Sequence, residues 1–223
     1  MSASTYTPAL IIIDVQNDFV SGSLAVPGGA DIIGNINSLI ALPGFKVKVA
    51  SKDFHPPKHV SFAETHQKDL FSTLTLYHPH DEERKHGIQQ VLWPVHCVQG
   101  TEGADFAPGL ETSSFDTVIV KGVDPGVESY SAFQDVWGRE STELPAILKE
   151  KGITDVYLAG LATDYCVKWT AIHALEEGYK AWVVKDAVKS IRDETEAVQD
   201  LEGRGIKFVD TENLKQVLQD FNQ

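Results

Sequence analysis

Short, almost wholly apolar runs alternate along this chain with amphipathic segments, and that alternation restricts the fold more than any other feature. Residues 9–15 are apolar apart from Asp14. Such a run has no face for solvent, so it reads as a strand buried on both sides of a sheet. Runs at 47–51, 118–121, 156–161, 182–184 and 207–209 complete six strands. Between them, Ile32, Ile33, Ile36, Leu39 and Ile40 recur at helical spacing, and 142–151, 164–177, 194–202 and 212–221 read as helices, two of them stopped by Gly152 and Gly178. Strand–helix alternation with solid strands predicts a parallel α/β sheet covered on both faces, in a single domain spanning 1–223. Residues 56–98 depart from the pattern. They are polar and histidine-rich, carry Pro56, Pro57 and Pro94, and show little periodicity. A loop this long inside a compact domain reads as a functional insertion.

The net charge of −13 would repel a phosphate backbone or an anionic membrane, so neither nucleic acid nor membrane is an expected partner. Cys97 and Cys166 are the only cysteines, too few for a secreted disulfide framework. Residues 1–8 lack the basic start and apolar run of a signal peptide, and 220–223 carry no recognisable address. No apolar stretch approaches the ~20 residues that cross a bilayer. The expected setting is the cytoplasm.

In an open parallel sheet, ligands bind beyond the carboxyl ends of the strands. Those ends deliver Asp14, then Asp53 and His55, then Lys121, then Cys166. Core packing does not explain ionisable residues placed this way. Cys166 falls in the first turn of a predicted helix, with Thr163 or Asp164 as its cap, where the unpaired N–H groups favour a thiolate. A small buried hydrophobe is the competing reading, and it is the one that suits Cys97. With Asp14 and Lys121 at neighbouring strand ends, Cys166 has a base for its proton and a cation to hold both. Asp53 and His55 stand at D-x-H spacing, which on an extended segment turns both side chains the same way. They would make two ligands of a divalent metal, with His96 as a natural third. His59, His66, His78, His80 and His86 compete for that place, and from spacing alone a surface turn is the better reading.

The strings Ile13-Asp14-Val15-Gln16-Asn17-Asp18-Phe19, Asp53-Phe54-His55-Pro56, Leu92-Trp93-Pro94-Val95-His96-Cys97, Val120-Lys121-Gly122 and Gly160-Leu161-Ala162-Thr163-Asp164-Tyr165-Cys166-Val167 together resemble the nicotinamidases of the isochorismatase-like hydrolase superfamily. The resemblance runs from about residue 8 to about 210, and Tyr130-Ser131-Ala132-Phe133 looks closest to the fungal branch. It implies strand order 3-2-1-4-5-6 and a metal-site insertion at about 56–98. It implies Asp14, Lys121 and Cys166 as the catalytic triad of a cysteine amidohydrolase that cleaves nicotinamide, and also pyrazinamide, through a thioester. It implies Asp53, His55 and His96 as ligands of one divalent metal, usually zinc, with water completing the shell. Ser61 and Glu64 stand where some relatives place a further ligand. A cis peptide between Leu161 and Ala162 and an oxyanion hole from the N–H groups of Ala162 and Cys166 are implied too. Phe19, with Trp93, Tyr130 or Phe133, is expected to sandwich the ring, core packing being the alternative for each. A homo-oligomer is compatible with the resemblance, and a related cysteine amidohydrolase acting on another small amide is the alternative activity.

Overall fold

The computed structural model describes residues 6–221; the terminal readings at 1–5 and 222–223 lie outside the described residues. The elements run β1 (Pro8–Ile13), α1 (Asn17–Val20), a 3₁₀ turn (Gly29–Ile32), α2 (Ile33–Ala41), β2 (Val47–Asp53), α3 (Ala63–His66), β3 (Thr73–Leu76) and β4 (Ile88–Val91). A second 3₁₀ turn (Glu102–Ala104) leads to β5 (Thr117–Lys121), α4 (Leu144–Glu150), β6 (Asp155–Leu161), α5 (Cys166–Glu176), β7 (Lys180–Lys189), α6 (Thr195–Gly203), β8 (Lys207–Val209) and α7 (Thr211–Phe221). Six strands form one parallel sheet in the order β5-β2-β1-β6-β7-β8. Numbered along the chain, that is the expected 3-2-1-4-5-6.

Every residue of β1 is buried because both faces of the sheet are covered. Leu10 and Ile12 point into a layer with Ile36, Leu39 and Ile40 of α2 and Leu214 and Leu218 of α7. Ala9, Ile11 and Ile13 point into the opposite layer, with Leu144 and Leu148 of α4, Val167 and Ala171 of α5 and Leu201 of α6. The period-two alternation of a strand thus feeds two cores, which is why this strand reads as solid apolar. The chain works outward from β1 through β2 to β5, then crosses back to start again at β6 beside β1. This reversal opens a crevice at the carboxyl ends of β1 and β6.

Two readings needed correction. β7 spans ten residues rather than the apolar triplet 182–184. Its register on β6 shifts between Leu158 and Gly160, and the exposed Lys185 and Asp186 interrupt the apolar pattern there. The segment 56–98 is not wholly irregular: it holds α3 and the antiparallel hairpin β3–β4. That hairpin escaped notice because its strands, TLTL and IQQV, each bury a single residue. Among the described residues, no helix is long and apolar enough to cross a membrane.

Candidate active site

β1 stops at Ile13 because Asp14 takes φ 48, a left-handed conformation few non-glycine residues adopt. β2 ends in Asp53, β5 ends in Lys121, and β6 leads through Ala162 to Cys166, the first residue of α5. Lys121 is the hub. Its Nζ lies 2.9 Å from Asp14 Oδ2, 2.5 Å from Asp53 Oδ1, 3.2 Å from the Ser129 carbonyl and 3.4 Å from Cys166 Sγ. Ser51 Oγ donates to the other Asp14 oxygen at 2.7 Å. All of these residues are buried, where an unpaired ammonium would be too costly to keep.

Burial sets the proton affinities. It lifts Asp14 above the usual carboxylate range, with Asp53 adding to the lift and Lys121 and Ser51 opposing it. For Lys121, burial opposes the charge, but Asp14 and Asp53 overcome it and hold the ammonium protonated. Cys166 departs from the expectation of a thiolate favoured by its helix. Burial pushes the thiol well up, Asp14 and Asp53 push it further, and Lys121 only partly offsets them. Burial thus favours a neutral thiol beside a carboxylate of raised proton affinity. The expected cap is also different: Tyr165 occupies the N-cap position without a side-chain bond. Asp164 instead accepts from the N–H groups of Ile191 and Arg192 and so fastens the loop that carries Ile191 to the site. Cys97 is buried with its thiol pushed up chiefly by burial, as suits a packed cysteine.

Asp53, His55 and His96 place one potential ligand atom each within 4.8 Å of one another. His55 Nε2 is 3.6 Å and His96 Nε2 3.9 Å from Asp53 Oδ2; around a tetrahedral ion with bonds of about 2.1 Å, ligand atoms stand roughly 3.4 Å apart. His55 Nδ1 donates to the Gly122 carbonyl at 2.9 Å and His96 Nδ1 to the Pro94 carbonyl at 2.8 Å. Each ring thus turns Nε2, the lone-pair nitrogen in its neutral form, toward the same carboxylate oxygen. Pinning the far nitrogen to a carbonyl is how ligating histidines are oriented. Burial opposes charge on both rings. At His55 the Asp53 carboxylate overcomes that opposition, whereas burial and the neighbouring His55 hold His96 down to about 4. The donor set fits a divalent cation.

Of the competing residues only His59 comes near, in a second possible ligand group with His55 and Glu128. His59 stacks on His55 with ring centroids 4.1 Å apart, but Ser61 Oγ and the Val127 carbonyl occupy its two nitrogens. His66 bonds the Val60 carbonyl, and His78 and His80 face one another. His86 sits beside Asp81, and Glu64 is exposed. None of these, nor Ser61, joins the Asp53–His55–His96 group.

A narrow cavity opens over Cys166, walled by Phe19, Trp93, Tyr130, Ala162, Tyr165 and Ile191 and floored by Asp53, His55 and His96. Phe133 is not among its walls. It faces the other core layer, against Tyr179, because the chain between Tyr130 and Phe133 turns down onto α5. Four contributors escaped the sequence reading: Leu24 and Ile191, apolar residues with nothing to mark them, and Tyr165 and Glu128. Tyr165 sits in a quoted motif but offered no chemical signal. Glu128 lies outside every strand and motif, yet its carboxylate is buried in the cavity wall, bonded to Gln90 Nε2 at 3.0 Å and the Ser129 N–H at 2.8 Å. Burial raises its proton affinity.

Gln16 fixes Asp53 from below. Its Nε2 donates to the Asp53 and Ala104 carbonyls at 2.8 and 3.0 Å, and its Oε1 accepts from the Asp53 N–H at 2.8 Å. Gln16→Ala strands three backbone groups. We expect a loss of roughly 3 kcal/mol, read as a fall in Tm of roughly 6–12 °C for a chain of this size. A fall under about 2 °C would show that water replaces the amide.

An isochorismatase-domain family model matches residues 8–213. The nicotinamidase of Acinetobacter baylyi is 45% identical over 186 residues, covering 82% of this chain and 81% of that one. Among solved structures, the yeast nicotinamidase bound to the inhibitor nicotinaldehyde superposes with a TM-score of 0.86 at 34% identity, covering 92% of this chain and all of the other. The pyrazinamidase of Pyrococcus horikoshii in complex with zinc gives a TM-score of 0.72 at 36% identity, over 91% and 98% of the two chains.

Proposed function

The chain belongs to the isochorismatase family, and we propose that within it this enzyme hydrolyses nicotinamide to nicotinate and ammonia, with Cys166 as nucleophile. The observation that carries the reading is Lys121, whose single ammonium holds the Asp14 carboxylate at 2.9 Å and the Cys166 sulfur at 3.4 Å. Base and nucleophile thereby share one positioned charge. As Sγ attacks the carboxamide carbon, Asp14 takes the thiol proton. The oxyanion sits against the N–H groups of Ala162 and Cys166; the latter, at the head of α5, has no acceptor within its own helix. Such donors contribute about 3 kcal/mol each to the transition state. Asp14 passes its proton to the departing nitrogen, which leaves as ammonia, and a thioester remains on Cys166. Asp14 then takes a proton from water, hydroxide adds to the thioester, and nicotinate leaves as the proton returns to sulfur. Lys121 stays charged throughout and keeps Asp14 in place.

Asp53, His55 and His96 would hold the metal, with zinc the ion that suits two imidazoles and one carboxylate. Bound there, zinc would supply a Lewis-acidic point for the pyridine nitrogen at the far end of the cavity. The histidines' part is to set that distance, and Phe19, Trp93 and Tyr130 close on the ring. Glu128 adds a buried carboxylate on the same wall. The segment 56–98 acts as the insertion that brings Trp93 and His96 to the strand ends. This activity serves NAD salvage. The same reading places the enzyme in the cytoplasm, where its two free cysteines stay reduced.

The test is ammonia release from purified protein over a panel of nicotinamide, pyrazinamide, benzamide and a ureido substrate. Nicotinamide and pyrazinamide should lead by at least about 100-fold in kcat/KM, a margin that leaving a buried partner unpaired can produce. Preference for the ureido compound would move the assignment to another amidohydrolase of the family.

A further inference from the structure

We propose that Asp18 and Ser23 are positioning residues for His96, holding the turn that presents it from both sides. The inference rests on reading Asp53, His55 and His96 as a metal site. His96 is fastened to its own turn through Nδ1 and the Pro94 carbonyl, so its ring goes where residues 94–97 go. That turn does not hold itself: Cys97 has φ 46, a conformation costly for any residue but glycine unless its surroundings enforce it.

The enforcement comes from one short segment. Ser23 Oγ donates to the Val95 carbonyl at 2.7 Å, just before His96. The Cys97 N–H donates to Asp18 Oδ2 at 2.7 Å, just after it, a charge-assisted bond stronger than a neutral one. The Ser23 N–H reaches Asp18 Oδ1 at 3.3 Å, which ties the two grips together. Two glycines let the backbone pass close to this carboxylate. A Cβ on Gly22 would run into Asp18 Oδ1, and one on Gly103 into Oδ2. Between the grips, the ring of Phe19 lies 5.4 Å from that of His96. Neither Asp18 nor Ser23 lines the cavity, so neither touches substrate. Their effect passes through His96 Nε2, 3.9 Å from Asp53 Oδ2. The His55 ring is set instead by Gly122, although its backbone pairs with Cys97 and Gln99 at 3.0 and 2.8 Å, and the triad depends on Ser51 and Ser129, so the clamp acts first on His96.

The experiment titrates zinc into chelator-stripped protein against a chromophoric chelator, comparing wild type with Asp18→Asn, Asp18→Ala, Ser23→Ala and, as reference, His96→Ala. Asp18→Ala should weaken zinc 10–100-fold, the range seen when groups supporting a ligand are lost. Asp18→Asn keeps the shape but presents a donor to one of two N–H groups, and Ser23→Ala removes one grip; both should fall between. With cobalt in place of zinc, the visible spectrum should shift in the variants. KM for nicotinamide should rise with zinc limiting, while acylation of Cys166 by an activated ester lacking a ring nitrogen stays at the wild-type rate. A merely structural role would lower Tm and acylation together. If Asp18→Ala does not fold, Asp18→Asn and Ser23→Ala decide. Wild-type zinc affinity and cobalt spectrum in both, with His96→Ala impaired, overturn the clamp. Equal zinc binding in wild type and His96→Ala would instead overturn the metal-site reading beneath it.

Discussion

Cys166→Ala should lower kcat/KM for nicotinamide by roughly 10⁴-fold or more, the scale on which a lost nucleophile acts. Cys97→Ala should keep most of the activity, at a cost in stability of about 1 kcal/mol. Equal loss in two folded proteins would remove the assignment. Asp14→Asn separates two accounts of the nucleophile. If the sulfur rests as a thiol, held there by burial and by the charges of Asp14 and Asp53 against Lys121, then neutralising Asp14 lowers the thiol's proton affinity. Turnover should fall about 10²–10⁴-fold for want of a base, while alkylation by iodoacetamide at neutral pH speeds up. Alkylation that slows in step with turnover would mean that Asp14 ionises the thiol at rest. The pH profile carries the same sign. Asp14 must be ionised to accept the proton and binds it more tightly than a solvated carboxylate does. Activity is thus present above its folded pKa and is lost as pH falls through it, with a midpoint above the ordinary carboxylate range.

His55→Ala or His96→Ala should cost nicotinamide on the order of 10³-fold in kcat/KM and benzamide far less. The two substrates differ at the ring nitrogen, so a site that anchors that nitrogen loses its preference when a ligand is removed. Acylation of Cys166 by an activated ester without a ring nitrogen should survive chelation. The coupling that threatens this result is visible: Asp53 gives Oδ1 to Lys121 and turns Oδ2 to both histidines. Should chelation abolish ester acylation as fully as nicotinamide hydrolysis, in protein that remains folded, the anchor role would be wrong. Asp53 would then be transmitting the loss to Lys121 and the triad.

The sheet was legible because its central strands, β1 and β6, are buried on both faces and so carry a signal that needs no partner to be read. The strand ends were legible for the same reason: Asp14, Asp53 and Lys121 are charges set where an apolar run stops, and a chain keeps such charges only if something pairs them. Local signals failed where burial is contributed from far away. The hairpin β3–β4 hides its few apolar contacts among polar residues, and Phe133 faces the wrong layer for a substrate wall. Glu128 is drawn into the cavity by Gln90, 38 positions earlier in the chain. The sequence by itself determined which ionisable groups reach one edge of the sheet, since strand periodicity and length decide where each strand ends. Only the tertiary structure decided how they share charge. That Asp53 serves the lysine and the histidines at once, that burial favours the neutral thiol of Cys166 despite its helix, and that Asp18 and Ser23 grip the turn of His96 all depend on distances between distant segments, and the first two on burial as well. Electrostatic energy is set by that separation and that dielectric, and neither is written in the order of residues.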